Sequence, residues 1–295
     1  MVTAAAPIAF EKPTPKSRVR EAAPFVKWVG GKGKLVSQLL PLMPGGVEKR
    51  RHVEPFVGGG ALFFAMRPRR AVLSDVNERL VTTYLAIRDE LPTVIRHLEA
   101  LDRAHSDATY YEVRDRYNTA SRVSSAERAA MFVYLNKTCF NGLHRVNRRG
   151  HFNVPLGRYE NPRIVDHEGL AAASRALRGA EIRHASFEEL LAYAKPGDFV
   201  YFDPPYAPVS ATANFTSYAA GDFGDADQVR LRDVYRELDR RGCRLMLSNS
   251  DVPRIRELYR DYRIEIVAAP RAINCDARKR GPVTEVVVLN YDPGR

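Results

Sequence analysis

The chain has 295 residues, of which 45% are hydrophobic, and it carries 46 Lys and Arg against 35 Asp and Glu. No apolar run approaches the ~18 residues of a membrane helix, and the N-terminus lacks the basic-then-apolar order of a secretory signal. These features argue against a membrane-spanning or secreted protein. The net charge of +11 fits either a polyanionic partner such as nucleic acid or a basic surface that only aids solubility.

Residues 1–22 mix Ala, Pro and Lys and are predicted to form a disordered tail. The three cysteines, Cys139, Cys243 and Cys275, are far apart and show neither paired metal-ligand spacing nor a disulfide framework. We therefore expect no metal and a reduced, cytoplasmic protein.

Short apolar segments alternate with helical patterns along the chain, which is typical of an α/β sheet. The predicted strands, in chain order, are residues 51–57, 70–75, 198–203, 244–250, 262–269 and 285–291. A helix is predicted over residues 226–241, with Asp225 as its N-cap and Gly242 just past its end. Its apolar stripe consists of Val229, Leu231, Val234, Tyr235 and Leu238.

Residues 77–180 have a mostly helical pattern, with basic loops and few β-branched runs. The strands on either side can share one sheet only if this segment is an excursion from it. We therefore predict a catalytic α/β domain over residues 23–76 and 181–295, with an inserted, mainly helical domain over residues 77–180.

The segment VEPFVGGGALFF (53–64) predicts a strand, a glycine loop and an apolar helix. Gly58 and Gly60 allow a ligand to approach the backbone, but Phe63 replaces the third glycine of a dinucleotide site. Asp75 ends the next predicted strand and can accept hydrogen bonds from both ribose hydroxyls. A nucleoside cofactor without an essential pyrophosphate fits these features, and S-adenosylmethionine (SAM) is the commonest. The alternative is an ordinary strand-to-helix turn with a solvated aspartate.

A second glycine pair lies in PFVKWVGGKGKL (24–35), beside Lys27, Trp28 and Lys32. A lysine in a glycine-rich turn can hold a carboxylate, such as the amino-acid end of SAM. Trp28, the only tryptophan, either forms a wall of the pocket or fills core space.

The segment YFDPPYAP (201–208) ends a predicted strand in a rigid corner. Adenine N6 is a poor nucleophile because its lone pair is delocalised, and accepting both its hydrogens frees that lone pair for a methyl donor. Asp203 and the Pro204 carbonyl offer the two acceptors, which Pro204 and Pro205 fix in advance. Tyr206 offers a flat face for a base flipped out of a duplex. The alternative is a plain Pro-Pro turn at a strand end.

These segments resemble the Dam-like DNA adenine-N6 methyltransferases (the D12 class, alpha group), from about Pro24 to Tyr291. The most specific match is NKTCFNGLHRVNRRGHFNVPLG (136–157), and the others are KWVGGK, EPFVGGGALFF, DPPY, NFTSYAAGDFGDADQVRL and RAINCDARKRGPVTEVVVLNY. The resemblance implies a Rossmann-like, mostly parallel methyltransferase sheet with an inserted, mainly helical target-recognition domain. It also implies methyl transfer from SAM to N6 of a flipped-out adenine in a specific double-stranded DNA sequence.

The resemblance further implies roles for single residues. Those expected to bind SAM are Lys27, Trp28, Gly31, Lys32, Glu54, Phe56, Gly58, Gly60, Asp75, Phe187 and Asp203. Those expected to hold the target adenine are Asp203, Pro204, Pro205 and Tyr206. Those expected to contact DNA are Phe140, Asn141, Leu143, Arg145, Asn147 and Pro155. The basic Lys137, Arg148 and Arg149 near them fit phosphate contacts, and the alternative for each is a solvated surface cation. Phe140, Leu143, Arg145 and Pro155 match DNA-facing positions of GATC-specific relatives, with Phe140 as a wedge and Arg145 as a guanine contact.

Some positions depart from the family pattern. Ser186 replaces an acid found in many relatives, which leaves the hydrogen bond to the cofactor's adenine open, although Phe187 can still stack. His144 lies at a variable position and is interpreted as DNA-facing or solvated. The loop 207–224 is expected to stay mobile until DNA binds.

Two other functions stay open on the residues alone. Methyltransferases of RNA bases or protein glutamines share the Asp-Pro-Pro-Tyr corner, and residues 136–157 argue against them. A DNA-binding module without catalysis is disfavoured by intact Lys32, Asp75 and Asp203. We expect a bacterial or phage enzyme, cytoplasmic, nucleoid-associated and monomeric or weakly dimeric, that serves a restriction-modification system or acts alone.

Overall fold

The computed structural model describes residues 20–208, 223–269 and 283–293. Within these ranges one seven-stranded sheet has the order β3-β2-β1-β4-β5-β7-β6. The first five strands in that order are parallel, and β7 is antiparallel to both of its neighbours. The mostly parallel α/β sheet is thereby confirmed. The strands are β1 His52–Glu54, β2 Ala71–Asp75, β3 Ala180–His184, β4 Phe199–Phe202, β5 Arg244–Ser250, β6 Arg263–Ala269 and β7 Val283–Leu289.

Each predicted strand overlaps an observed one. β1 ends at Glu54, before the predicted end at residue 57, because Pro55 has no N–H to continue the ladder. β3 was not predicted. Its sequence AEIRH is largely polar, and it forms the sheet edge beside β2, where an apolar pattern is not required.

The helices of the central segment are consecutive in sequence and lie between β2 and β3. Polar N-caps start four of them: the side chains of Asn77, Ser106, Ser124 and Asp166 each accept a hydrogen bond from a backbone N–H of the first turn. The helices are α1 Val36–Leu39, α2 Ala61–Met66, α3 Glu78–Asp89, α4 Leu91–Arg103, α5 Asp107–Thr119, α6 Ser125–Thr138, α7 His167–Leu177, α8 Leu190–Tyr193, α9 Asp225–Arg240 and α10 Pro253–Leu258.

The hydrophobic core has layers on both faces of the sheet. On one face, Tyr84 and Tyr134 of the central helices pack in one continuous cluster with Phe64 and Leu73. On the other face, α9 and α10 cover β1, β4 and β5. The central helical segment thus shares a core with the sheet, and its division from the catalytic part as a recognition domain stays a prediction.

Helix α9 differs in detail from its prediction. Gly224, not Asp225, is the N-cap, and its N–H donates to the Asp227 carboxylate at 2.8 Å. Gly242 lies just past the end with a φ of 81°, as predicted. Val229 is only partly buried, whereas the polar Gln228 beside it is buried. The Gln228 side chain donates a hydrogen bond to the Pro205 carbonyl, in the loop after β4.

No helix in the described ranges is long and apolar enough to cross a bilayer. The same ranges contain no group of three or more His, Cys, Asp or Glu residues arranged to hold a metal. Cys139 and Cys243 are buried free thiols, and burial raises the pKa of each to about 11. Cys275, residues 1–19 of the predicted tail and residues 209–222 of the predicted mobile loop lie outside the described residues.

Candidate active site

Three carboxylates occupy the carboxyl edge of the parallel strands. Glu54 ends β1, Asp75 ends β2, and Asp203 directly follows β4. The chain passes from β1 to β2 on one side, whereas β4 pairs with β1 on the other, so the strand order reverses between β1 and β4. Ligands of open α/β sheets bind in the crevice at this reversal. The predicted acids therefore lie where the fold places a ligand.

The loop after β1 contains two glycines in the left-handed region, Gly58 with φ 47° and Gly60 with φ 68°. A Cβ on Gly58 would lie 2.6 Å from Trp28 Cδ1, and one on Gly60 would lie 2.8 Å from the Tyr84 hydroxyl. The Tyr84 hydroxyl also donates to the Gly58 carbonyl at 3.0 Å. Both conformation and space require glycine here, because a side chain would meet Trp28 or Tyr84.

Asp75 is held by the backbone that surrounds it. Its carboxylate accepts the Gly58 N–H at 3.1 Å and the Asn77 N–H at 2.9 Å. Burial raises the pKa of Asp75, while these two backbone hydrogen bonds oppose the rise. Each oxygen carries a second lone pair, so the group can accept two further hydrogen bonds from a ligand. Glu54 is buried, and its carboxylate lies 2.7 Å from His52 Nε2.

A group of three phenylalanines lies next to this loop. Phe56 and Phe187 stack with their ring centroids 5.5 Å apart, and Phe223 lies 5.8 Å from each. Ser186, which precedes Phe187, starts a short helical turn and donates its N–H to Glu189 at 3.0 Å. Phe187 is buried at 5% exposure, whereas Phe56 and Phe223 are partly exposed, so these two rings supply the aromatic surface beside the loop.

The corner after β4 pairs Asp203 with Lys32. The Lys32 ammonium lies 2.7 Å from Asp203 Oδ1 and donates to the Gly30 carbonyl at 2.6 Å. Burial raises the pKa of Asp203 to about 6, and the charge of Lys32 opposes that rise. Lys32 is itself buried at 5% exposure. Breaking this pair would leave an uncompensated buried charge, so the two side chains hold one another in place.

Residues distant in sequence support the corner, and sequence reasoning missed them. The Gln228 amide donates to the Pro205 carbonyl at 3.0 Å and accepts from Asn249 at 3.1 Å. Asn249 in turn accepts the Ala207 N–H at 3.1 Å. This network occupies the back of the corner, which is why Gln228 is buried in α9. A polar residue within an apolar helix stripe was the available signal.

Tyr206 is oriented by two charged neighbours. Its hydroxyl donates to Glu285 Oε2 at 2.7 Å, and Lys32 Nζ lies 4.5 Å from its ring centroid. Burial and the nearby carboxylates raise the pKa of Tyr206, so the phenol stays protonated as a donor. Glu285 was not predicted as a site residue because β7 follows the corner by about eighty positions with no local motif. It sets the direction of the Tyr206 ring.

His144 corrects an expectation from the sequence. Its ring stacks on Trp28 and on Phe132, each with centroids 5.4 Å apart, and its Nδ1 lies 3.5 Å from the Asn77 amide. Burial lowers the pKa of His144 to about 4, so the ring is neutral near pH 7. The interpretation as a DNA-facing or solvated residue is therefore wrong. Trp28 and His144 fill the space between the glycine loop and α6.

Lys27, another residue predicted to bind the cofactor, contacts Tyr159 through its side chain. Its backbone N–H and carbonyl both bond to the Asn136 side chain, at 2.7 Å and 2.8 Å. Its ammonium lies over the Tyr159 ring at 4.5 Å and donates to that hydroxyl at 3.1 Å. Gly31, by contrast, is held in the turn, where its N–H donates to the Trp28 carbonyl at 3.0 Å.

The segment 136–157 begins in the last turn of α6 and contains a short hairpin over residues 145–153. Residues 145–147 face residues 151–153 through backbone hydrogen bonds, and the Asn147 side chain accepts the N–H groups of Arg149 and His151. Asn147 thus shapes the turn that presents the exposed Arg148 and Arg149. Gly150, with φ 75°, closes the turn.

The predicted wedge and its neighbours lie beside this hairpin. Phe140 is 48% exposed, an unusual state for a large apolar ring, and its N–H donates to the carbonyl of the exposed Pro155 at 2.9 Å. Asn141 is exposed with a left-handed φ of 54°. Leu143 packs against the core and is half-buried. Phe140 and Pro155 are thereby joined on one exposed surface.

Arg145 is fixed in direction by the opposite hairpin strand. Its Nε donates to Asn153 Oδ1 at 2.7 Å, and an NH2 group donates to the Asn153 carbonyl at 3.3 Å. The Arg145 guanidinium, held in this way, is pre-oriented for bidentate contact. Lys137 differs from Arg145, because it lies half-buried on α6, where burial lowers its pKa.

The family model of the D12 class N6 adenine-specific DNA methyltransferases matches residues 28–273. The chain belongs to that family. It is 44% identical over 273 residues to the Type II methyltransferase M1.LlaDCHI of Lactococcus lactis subsp. cremoris, covering 91% of this chain and 95% of the relative. It is 41% identical to M.MjaIII of Methanocaldococcus jannaschii, covering 92% and 100%, and 36% identical to the DNA adenine methylase of Vibrio cholerae, covering 90% and 95%.

Membership decides between the functions that the sequence left open. The chain is an adenine-specific DNA methyltransferase, and its fold is the mixed α/β fold expected for this family. DNA, and not RNA or a protein glutamine, is its substrate class. The family model spans both the crevice at the carboxyl ends of the strands and the hairpin, so both parts belong to the region that the family shares.

Proposed function

We propose that this methyltransferase transfers a methyl group from S-adenosylmethionine to N6 of a flipped-out adenine in double-stranded DNA. The observation that carries the proposal is the position of Asp203 and Pro204. They follow β4 at the strand reversal, directly beside the glycine loop. An acceptor site for an amine and a site for a nucleoside cofactor therefore share one crevice.

The residues of the crevice fit S-adenosylmethionine. Gly58 and Gly60 allow the left-handed turn of the loop, and Asp75 retains acceptor capacity for two ribose hydroxyls. Phe56, which is partly exposed and stacks on the buried Phe187, offers a face for the adenine ring of the cofactor. Lys32 uses two of its three hydrogens on Gly30 and Asp203, so the third is suited to the cofactor carboxylate.

S-adenosylmethionine supplies a sulfonium methyl group that a nitrogen lone pair can attack. Asp203 and the Pro204 carbonyl accept the two N6 hydrogens of the target base, so its lone pair turns toward the methyl carbon. As the N–C bond forms, the bond between the methyl carbon and sulfur breaks with its electron pair left on sulfur, and N6 loses one of these protons on the side of the Asp203 carboxylate. Lys32 covers one face of Tyr206, and the base stacks on the other.

We further propose that residues 77–180 recognise the DNA. Phe140, exposed beside Pro155, supports flipping by wedging into the stack. Arg145, oriented by Asn153, contacts guanine through its major-groove edge. Arg148 and Arg149 contact phosphates, which position the enzyme without specifying sequence. The matching positions in GATC-specific relatives make GATC the proposed target.

Calorimetry with S-adenosylmethionine tests the assignment of the crevice. Asp75→Ala removes the proposed ribose acceptor and is expected to weaken binding by about tenfold to a hundredfold, from two lost hydrogen bonds of about 1 kcal/mol or more each. Asp203→Asn is the matched control, because it keeps the shape of the side chain beside Lys32 and removes a carboxylate of the same crevice that has no proposed ribose contact. Equal losses for the two variants would refute the assignment.

A further inference from the structure

A basic cavity lies at the amino ends of the parallel strands, whereas the catalytic crevice lies at their carboxyl ends. The cavity has a volume of about 620 Å³ and is lined by Gly46, Lys49, Arg50, Arg51, Arg70, Lys195, Pro196, Gly197 and Asp198. Arg70 precedes β2 and Asp198 precedes β4, whereas Asp75 and Asp203 end those segments. Five residues of strand separate the two edges by about 17 Å. The cavity is therefore a separate site.

Positive charge in this cavity exceeds its carboxylate charge. The single acid among the lining residues, Asp198, is already committed: Arg51 donates to it through Nε and an NH2 group, and the Lys195 N–H donates at 2.8 Å. Lys49, Arg70 and Lys195 are exposed, and no carboxylate lies within ion-pair distance of them in the described part of the chain.

Arg50 provides a second, independent observation. One of its NH groups donates to the Gly197 carbonyl at 2.9 Å, which fixes the guanidinium against the turn that lines the cavity. Its Nε is buried and has no hydrogen-bond partner among the described residues. Buried donors without partners are uncommon in folded proteins, and an acceptor in the cavity would satisfy this one if the half-buried side chain turns toward it.

We infer that this cavity binds phosphate groups, supplied either by a second segment of nucleic acid or by a free polyphosphate. Arginine and lysine together match the oxygens of phosphate, and the volume falls within the range of ligand sites. DNA held at the carboxyl edge does not supply these phosphates unless it bends around the sheet, because the two edges are on opposite sides.

The test replaces three exposed cations at once, as Lys49→Ala, Arg70→Ala and Lys195→Ala in the full-length enzyme. The matched control removes the same charge from exposed arginines of α4 and α7, as Arg96→Ala, Arg103→Ala and Arg175→Ala. Calorimetry with inorganic tripolyphosphate is expected to show about a tenfold loss of affinity in the first variant, from three weakened ion contacts. The control is expected to stay within twofold of wild type.

A second arm distinguishes the two sources of phosphate. DNA affinity is measured against salt on a duplex of about one helical turn (~34 Å) and on one about six times longer. If a second nucleic-acid segment binds, the salt slope on the long duplex falls by about 2.7, from ~0.9 for each of three cations, and the short duplex is unaffected. Loss of tripolyphosphate binding with unchanged slopes indicates a free polyphosphate. Unchanged behaviour in both arms overturns the inference.

Discussion

The Lys32–Asp203 pair makes a sharp prediction for the pH dependence of methyl transfer. The mechanism requires Asp203 as a carboxylate, because only the ionised form accepts an N6 hydrogen through either oxygen. Its pKa is raised to about 6 by burial while Lys32 opposes the rise. We expect kcat/KM for DNA to fall tenfold per pH unit below pH 6 and to level off above it.

Replacing Lys32 with Met keeps the shape of the stem and removes the opposing charge. An opposite charge at this distance, 2.7 Å, lowers a carboxyl pKa by about 1–3 units. The acid limb of Lys32→Met is therefore expected to move up to about pH 7–9. If the midpoint is near 8, about a tenth of the enzyme is ionised at pH 7, so activity there falls roughly tenfold and recovers on raising the pH.

The assay is initial-rate methylation of a duplex substrate at saturating S-adenosylmethionine, from about pH 5 to 10. Saturation removes the separate effect of Lys32 on cofactor affinity. Lys34→Met is the control, since Lys34 belongs to the same short 3-10 helix, Lys32–Lys34, but is exposed. An unchanged acid limb in Lys32→Met, or an equal shift in Lys34→Met, would refute the proposed electrostatic coupling.

Three further predictions concern Glu285, His144 and Arg145. Glu285→Gln, which weakens the charge-assisted bond from Tyr206, is expected to lower kcat about threefold to tenfold without changing cofactor affinity, and Tyr206→Phe should give the same loss. His144→Ala should lower the free energy of unfolding by about 1–3 kcal/mol from two lost stacks, whereas His144→Phe should retain them. Wild-type unfolding energy should also fall as pH drops from 6.5 toward 4, because the unfolded ring binds a proton first, and His144→Phe should lack this fall. Arg145→Ala should relax sequence preference in competition assays by about 1–3 kcal/mol, while Lys137→Ala should weaken all sequences alike. If Arg145→Ala also weakens every sequence equally, the assignment of Arg145 as a base contact is contradicted.

Much of the crevice could be predicted because its chemistry is local in sequence. Gly58 and Gly60 lie in one loop, and Asp75 and Asp203 each end an apolar strand. Parallel strands bring those ends to one edge, so the two carboxylates lie near each other once the strand order is known. Pro55 shows the limit of the same approach, because it shortened β1 although the apolar pattern continued.

The residues that hold the corner could not be found in the same way. Gln228, Asn249 and Glu285 come from α9, β5 and β7, and each is an ordinary polar residue without a motif. Their role depends on hydrogen bonds across the fold, which sequence spacing does not encode. The expectation for His144 was wrong for a related reason. The stacking of its ring between Trp28 and Phe132 depends on how α6 packs on the glycine loop, which the sequence does not show.

The most direct test is to identify the methylated atom. Duplex DNA is incubated with purified enzyme and isotope-labelled S-adenosylmethionine, digested to nucleosides and analysed by mass spectrometry, for wild type and for Asp203→Ala. Label in N6-methyladenine from the wild type and none from the variant, with cofactor binding retained, is the expected result. Label on another base, or undiminished N6-methyladenine from Asp203→Ala, would contradict the role of the corner.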